Sequence, residues 1–146
     1  MSSGKRRTGE RNLIFFSGRA HPALAEDVAA HLGVPITPTA LRDFANGEIY
    51  VRYLESVRGC DAFVMQSHTA PINKWIMEQL IMVDALKRAS ASRITVIMPF
   101  FGYARQDKKG RGREPITARL IADLFKQAGA DRLMSIDLHT SQIQGF

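Results

Sequence analysis

The chain has a single cysteine, Cys60, in 146 residues. No internal disulfide can form, and a reducing cytoplasm is the compartment such a composition fits. Set between Gly59 and Asp61, Cys60 reads as a small buried residue rather than a nucleophile. Long apolar runs are also missing: nothing approaches the ~18 residues of a membrane span. The apolar patch at residues 13–16 is too short for a secretory leader. Neither a glycine-rich loop ending in Gly-Lys-Ser/Thr nor a Gly-x-Gly-x-x-Gly after the first strand is present, so both standard nucleotide fingerprints are absent. Ser67-His68-Thr69 has no nearby acid to complete a triad, which leaves protein nucleophilic catalysis without support. No repeat and no linker divides the chain.

What is present is an ordinary globular composition, 45% hydrophobic and 23% charged, enough for one domain with a real core. The net charge of +6 is unevenly placed. Residues 1–11 carry four cations and one acid, and residues 105–113 carry five cations and one acid, so the remainder is slightly acidic. A tail and a loop therefore make the protein basic. A nucleic-acid surface would spread its phosphate contacts over a face or along a helix, so a small phosphorylated molecule is the preferred partner and neither nucleic acid nor membrane is expected. The cationic loop, with Gly110 and Gly112 inside it, directly follows the apolar run from Ile94 to Phe101. A mobile cationic segment at the end of a buried strand is where an α/β protein holds polyphosphate.

The spacing predicts a disordered basic tail over 1–11 and a domain over 12–146. Strands are expected at 12–17, 49–54, 61–66, 93–98 and 132–136, with a proline-marked extended piece at 36–44. Helices are expected at 22–32, 73–89 and 117–128. Strands alternating with helices imply βαβ units, so the expected class is α/β with a mainly parallel sheet flanked by helices, plus a small hairpin around Asn46-Gly47. The 73–89 helix is apolar around most of its circumference, which requires cover on more than one side. One cover is the sheet and the other is expected to be a second subunit. After Asp137-Leu138-His139 the next helix of a βα unit should begin, yet the chain ends at Phe146; it is expected to be truncated.

Two local patterns invite a chemical reading. Asp137 and His139, two apart after a strand, would point to one face and ligand a divalent metal or its water shell; the alternative is a pair of hydrogen-bonded loop residues. Phe44-Ala45-Asn46-Gly47-Glu48 offers an aromatic face, an amide and a carboxylate around a tight turn, as adenine recognition requires; the alternative is a plain hairpin flanked by a core aromatic. His21, His31 and His68 lack metal-ligand spacing and are expected at the surface.

Taken in order, Phe44-Ala-Asn-Gly-Glu48, Glu55-Ser-Val-Arg-Gly59, Gln79-Leu-Ile-Met-Val-Asp-Ala-Leu-Lys-Arg-Ala89, Gly102-Tyr-Ala-Arg-Gln-Asp-Lys-Lys109, Pro115-Ile-Thr-Ala-Arg-Leu120 and Asp137-Leu-His-Thr-Ser-Gln-Ile-Gln-Gly-Phe146 resemble the amino-terminal half of the ribose-phosphate diphosphokinases (phosphoribosyl pyrophosphate synthetases). The resemblance implies a phosphoribosyltransferase-type domain and diphosphoryl transfer from Mg-ATP to ribose 5-phosphate, giving phosphoribosyl diphosphate and AMP. It implies homo-oligomers, dimers within hexamers, with ATP held between subunits: Arg105 and Gln106 from one, Phe44, Asn46 and Glu48 from its neighbour. By the same resemblance His139, with Asp137 beside it, lies near Mg2+, and Ser56, Arg58, Arg113 and Gln144 fall where many members bind a regulatory phosphate or ADP. The family's ribose-5-phosphate loop and catalytic flexible loop belong to a second phosphoribosyltransferase-type domain that this chain lacks. It is therefore expected to be inactive alone, with no catalytic residue assigned in this half. A non-catalytic nucleotide-binding regulatory subunit is the alternative. One departure is Ser17-Gly18-Arg19, where many members read Gly-Asn-Ser.

Overall fold

A computed structural model describes residues 12–136; the basic tail and Asp137, His139 and Gln144 lie outside the described residues. The elements run β1 (Leu13–Ser17), α1 (Pro22–Leu32), β2 (Thr39–Asp43), β3 (Ile49–Tyr53), β4 (Asp61–Met65), α2 (Ile72–Arg88), β5 (Arg93–Met98), α3 (Thr117–Ala128) and β6 (Arg132–Ser135). Four strands form a parallel sheet in the order β1-β4-β5-β6, and β2 and β3 form a separate antiparallel hairpin. This is the expected α/β class, with the expected elements displaced by at most three residues at their ends.

Alternation along the strands sorts the core into two layers, because successive side chains leave opposite faces of a sheet. Phe15 and Met65 join Ala25 and Ala29 of α1 on one face. Phe16, Val64, Val96 and Met98 pack with Met82, Val83, Leu86 and Phe125 on the other, where α2 and α3 lie. Helix α1 is closed at both ends by its own sequence. His21 Nδ1 accepts the Leu24 N–H at 3.2 Å, Pro22 opens the first turn, and Gly33 takes the left-handed conformation at φ 68° after the last.

The hairpin is not a free flap. Leu41, Val51 and Tyr53 pack on the α2 core layer. The Tyr53 ring meets Phe16 edge-on at 4.8 Å, and its hydroxyl donates to the Met82 carbonyl at 2.7 Å. The second cover expected for α2 is therefore supplied largely within the chain, by this hairpin and by α3. Met77 on α2 remains 52% exposed, beside exposed Leu120 and Leu124 of α3.

Candidate functional site

In a parallel sheet every strand delivers its following loop to one edge, and ligands bind there. At that edge three segments meet: Gly18–Ala20 after β1, Gln66–His68 after β4 and the long loop after β5. The first two are tied together by a polar network that begins on α2, and the third is joined to the second by the Gly102 N–H donating to His68 Nδ1. Glu78, fully buried, accepts from Arg19 twice, the backbone N–H at 2.9 Å and Nε at 2.6 Å, and from Gln66 Nε2 at 2.7 Å. The Gln66 Oε1 accepts the Ala20 N–H at 3.0 Å. Arg19 then reaches outward to Asp43, the last residue of β2, at 2.7 Å, and Lys74 meets the other Asp43 oxygen at 2.7 Å. Lys74 and Arg19 hold the Asp43 carboxyl below the ordinary carboxylate range. The Arg19 guanidinium is raised by Asp43 and Glu78 against the opposing effect of burial. Arg19 thus joins the sheet edge to the hairpin.

Gly18 is required by this arrangement. A Cβ at that position would lie 2.3 Å from the Gln66 carboxamide atoms, and Gln66 cannot retreat without releasing Glu78 and Ala20. Gly18→Ala is expected to lower stability by about 1–3 kcal/mol, read as a lower melting temperature. An unchanged melt would mean Gln66 has room to move.

Beyond Asp43 the hairpin turn carries the candidate adenine residues. The Phe44 N–H donates to the Glu48 carbonyl at 2.7 Å and the Gly47 N–H to the Phe44 carbonyl at 2.9 Å, with Gly47 at φ 93°. Asn46 Oδ1 accepts the Glu48 N–H at 3.1 Å, which leaves its amide NH2 outward. Phe44 is not a core residue: it is 43% exposed, with the Arg42 guanidinium 5.3 Å from its ring centroid and Tyr50 edge-on at 6.0 Å. A half-exposed aromatic beside an exposed amide and carboxylate offers both a stacking face and polar edges.

The cationic loop is anchored at its base. Phe101, Gly102 and Ala104 are buried, the Tyr103 hydroxyl bonds Asn73 at the start of α2, and Tyr103 itself sits at φ 68°. Gln106 donates its N–H to the Tyr103 carbonyl at 2.8 Å and accepts the Ala118 N–H of α3 at 3.0 Å. Arg105 and Gln106 are exposed just past this anchor. Farther on, the Glu114 carboxylate accepts the N–H groups of Gly110 and Arg111 at 3.1 and 3.2 Å. None of the five cations from Arg105 to Arg113 makes an ion pair with a described residue. One residue of the loop is buried: Asp107 is 1% exposed.

No hydrogen bond, ion pair or ring contact joins the hairpin turn to Arg105 or Gln106 among the described residues. Of the residues expected to hold a regulatory anion, Ser56 and Arg58 are exposed ahead of β4, where the Gly59 N–H bonds the Ser90 carbonyl at 2.9 Å. Exposed Arg113 belongs to the loop leaving the opposite edge of the sheet. An apolar groove of about 270 Å3 runs between α2 and α3, lined chiefly by Ile76, Met77, Leu80, Leu120 and Leu124. It lacks the cationic lining a polyphosphate needs. Among the described residues no group of three potential metal ligands is present, and no helix is long and apolar enough to cross a membrane.

His68 corrects the surface expectation. It is fully buried, stacked parallel to Phe125 at 6.1 Å. Its Nδ1 accepts the Gly102 N–H at 3.0 Å and its Nε2 lies 2.7 Å from Gln79 Oε1. Gln79, also fully buried, gives its amide hydrogens to the carbonyls of Val64 and Ile97 at 3.0 and 3.1 Å. Burial pushes the imidazole down to about 4, outweighing the Gln79 bond. His21 and His31 are exposed, as expected. Polar residues at 78 and 79 inside the otherwise apolar run 75–83 were the signal in the sequence for these buried networks.

Comparison with known proteins bears on the family and the fold. The family model for the N-terminal domain of ribose phosphate pyrophosphokinase matches residues 13–129. The ribose-phosphate pyrophosphokinase of Streptomyces coelicolor is 73% identical over 144 residues, 99% of this chain and 44% of that protein. The Mycobacterium tuberculosis protein of the same name is 70% identical over 136 residues, 93% of this chain and 42% of that one. The crystal structure of phosphoribosylpyrophosphate synthetase from Mycobacterium smegmatis superposes with a TM-score of 0.91 at 70% identity, covering 92% of this chain and 45% of that one. The chain thus spans less than half the length of these relatives.

Proposed function

Because the chain belongs to the ribose-phosphate pyrophosphokinase family, as its amino-terminal domain, we propose that it is the ATP-side domain of an enzyme passing diphosphate from Mg-ATP to the anomeric hydroxyl of ribose 5-phosphate. The products are phosphoribosyl diphosphate and AMP, and the setting is the cytoplasm. The observation that carries this reading is the sheet edge itself, with an exposed cationic loop free of ion pairs to described residues and a hairpin turn anchored through Asp43 to the same edge. Diphosphoryl transfer demands charge neutralisation and in-line placement more than a protein nucleophile. Arg105 would neutralise phosphate oxygens, Gln106 would hydrogen-bond the nucleotide, and Phe44, with Asn46 and Glu48, would stack and pair with adenine.

Among the described residues the turn and the loop are unconnected, which suits an ATP site completed by a second copy. The exposed apolar stretch at Met77, Leu120 and Leu124 suits self-association. Dimers within a hexamer are the assembly we propose. Ser56 and Arg58 lie at the sheet edge opposite Arg113, so a regulatory phosphate or ADP shared by them, with Gln144, would bridge chains. Magnesium would supply further neutralisation of the phosphates. Asp137 and His139 are the proposed residues beside it.

Titration of the purified chain with Mg-ATP by calorimetry, with its mass in solution recorded, tests the reading. Binding by an oligomer, weakened at least about tenfold in both Arg105→Ala and Phe44→Ala, is the expected result; binding untouched by either substitution would refute the assignment. The chain alone is expected to make no phosphoribosyl diphosphate. Its detection with pure protein would show that this half suffices.

A further inference from the structure

His68 lies beneath the loop that carries Arg105 and Gln106, and its hydrogen bonds have one consistent reading. The Gly102 N–H can only donate, so Nδ1 must be a bare acceptor. A neutral imidazole then carries its hydrogen on Nε2, which donates to Gln79 Oε1. Gln79 is fixed in that orientation because its NH2 already serves the carbonyls of Val64 and Ile97. The chain of bonds therefore runs from β4 and β5, through α2, to the amide that opens the loop.

That amide is held closely. A Cβ on Gly102 would stand 2.8 Å from Ile72 Cγ2 and 2.9 Å from His68 Cβ. The next residue, Tyr103, occupies the left-handed region, a conformation that persists only where its surroundings enforce it. Its carbonyl accepts the Gln106 N–H at 2.8 Å, so the Tyr103 backbone leads directly into Arg105 and Gln106.

We propose that His68 is a positioning residue for nucleotide binding: its Nδ1 fixes the Gly102 amide and with it the Tyr103–Gln106 turn from which the phosphate contacts project. The proposal rests on the reading of Arg105 and Gln106 as ATP contacts, and it touches no substrate atom itself. The burial that keeps His68 neutral keeps that acceptor available across the physiological range.

Two substitutions separate positioning from mere packing. His68→Asn keeps an acceptor near the Nδ1 position and loses the reach to Gln79. His68→Gln keeps the reach and loses the acceptor. Amide hydrogen exchange at residues 102–106, calorimetry with Mg-ATP and the melting temperature are measured on each. We expect His68→Gln to speed exchange of the Gly102 amide and weaken Mg-ATP binding by about tenfold, the loss of one buried hydrogen bond. His68→Asn should stay within about threefold of the parent in both, although both variants melt lower. Equal effects from the two substitutions, or unchanged exchange in His68→Gln, would overturn the proposal. Should the parent fail to bind Mg-ATP, the functional reading falls while exchange at residues 102–106 still decides whether His68 sets the turn. In the parent chain, long-range nitrogen–proton spectra should show His68 protonated on Nε2 alone. A proton on Nδ1 overturns the proposal however the variants fold.

Discussion

Replacing Arg19 with methionine is expected to destabilise the domain by about 3 kcal/mol, the lower end of the cost of stripping one partner from a buried ion pair. The lower end applies because the Arg19 side chain is 30% exposed, whereas the Glu78 side chain is fully buried. Methionine keeps the length and much of the apolar stem but removes the Nε donor at 2.6 Å. Glu78 would then keep only the Arg19 backbone N–H and Gln66 Nε2, both neutral donors. Asp43 would keep Lys74. The double variant Arg19→Met, Glu78→Gln removes the orphaned charge along with its partner and should be more stable than Arg19→Met alone. Urea unfolding of the parent, both single variants and the double closes the cycle. A single Arg19 variant within 1 kcal/mol of the parent would mean the pair behaves as a surface salt bridge.

The second large effect is a loss of stability in mild acid that traces to His68. Its folded-state value is about 4 against an ordinary 6.5, so the imidazole stays neutral in the fold where the unfolded chain takes up a proton. Where the unfolded state binds more protons, stability rises with pH. The His68 contribution is therefore complete above pH 6.5 and is lost as pH falls towards 4. A shift of that size corresponds to about 3 kcal/mol. Carboxylates also begin to titrate near the lower limit, so the comparison must be with His68→Asn, which retains them all and cannot take up this proton. The stability difference between parent and His68→Asn should shrink by about 3 kcal/mol between pH 7 and pH 4; a difference that stays constant with pH would place the titration elsewhere.

Much of the architecture was legible because it depends on short-range pattern. Alternation marked β3, the Asn46-Gly47 turn placed the hairpin, and Pro22 and Gly33 bounded α1, each through backbone preferences that act within a few residues. The cationic loop was visible as a charge anomaly behind an apolar strand. Its anchored base was not: Phe101, Ala104 and Tyr103 gave no hint that they would pin the turn to α2 and α3. The apolar faces of α2 ask for several partners, and pattern alone does not show that its own hairpin and α3 supply them first. The burial of His68 is not legible either, because a lone histidine in the polar tripeptide Ser67-His68-Thr69 carries no burial signal.

By itself the sequence determined the α/β class, the order of strands and helices, the two candidate nucleotide-binding segments and the resemblance that the comparisons then bore out. The tertiary structure decided which polar residues act together. Arg19 and Glu78 are 59 residues apart, and His68 and Gly102 are 34 apart. Such pairs meet only because the order β1-β4-β5 sets three strand ends side by side with α2 packed over them. A buried polar group must find a partner. Sequence shows that one is needed, but only the packed chain selects which.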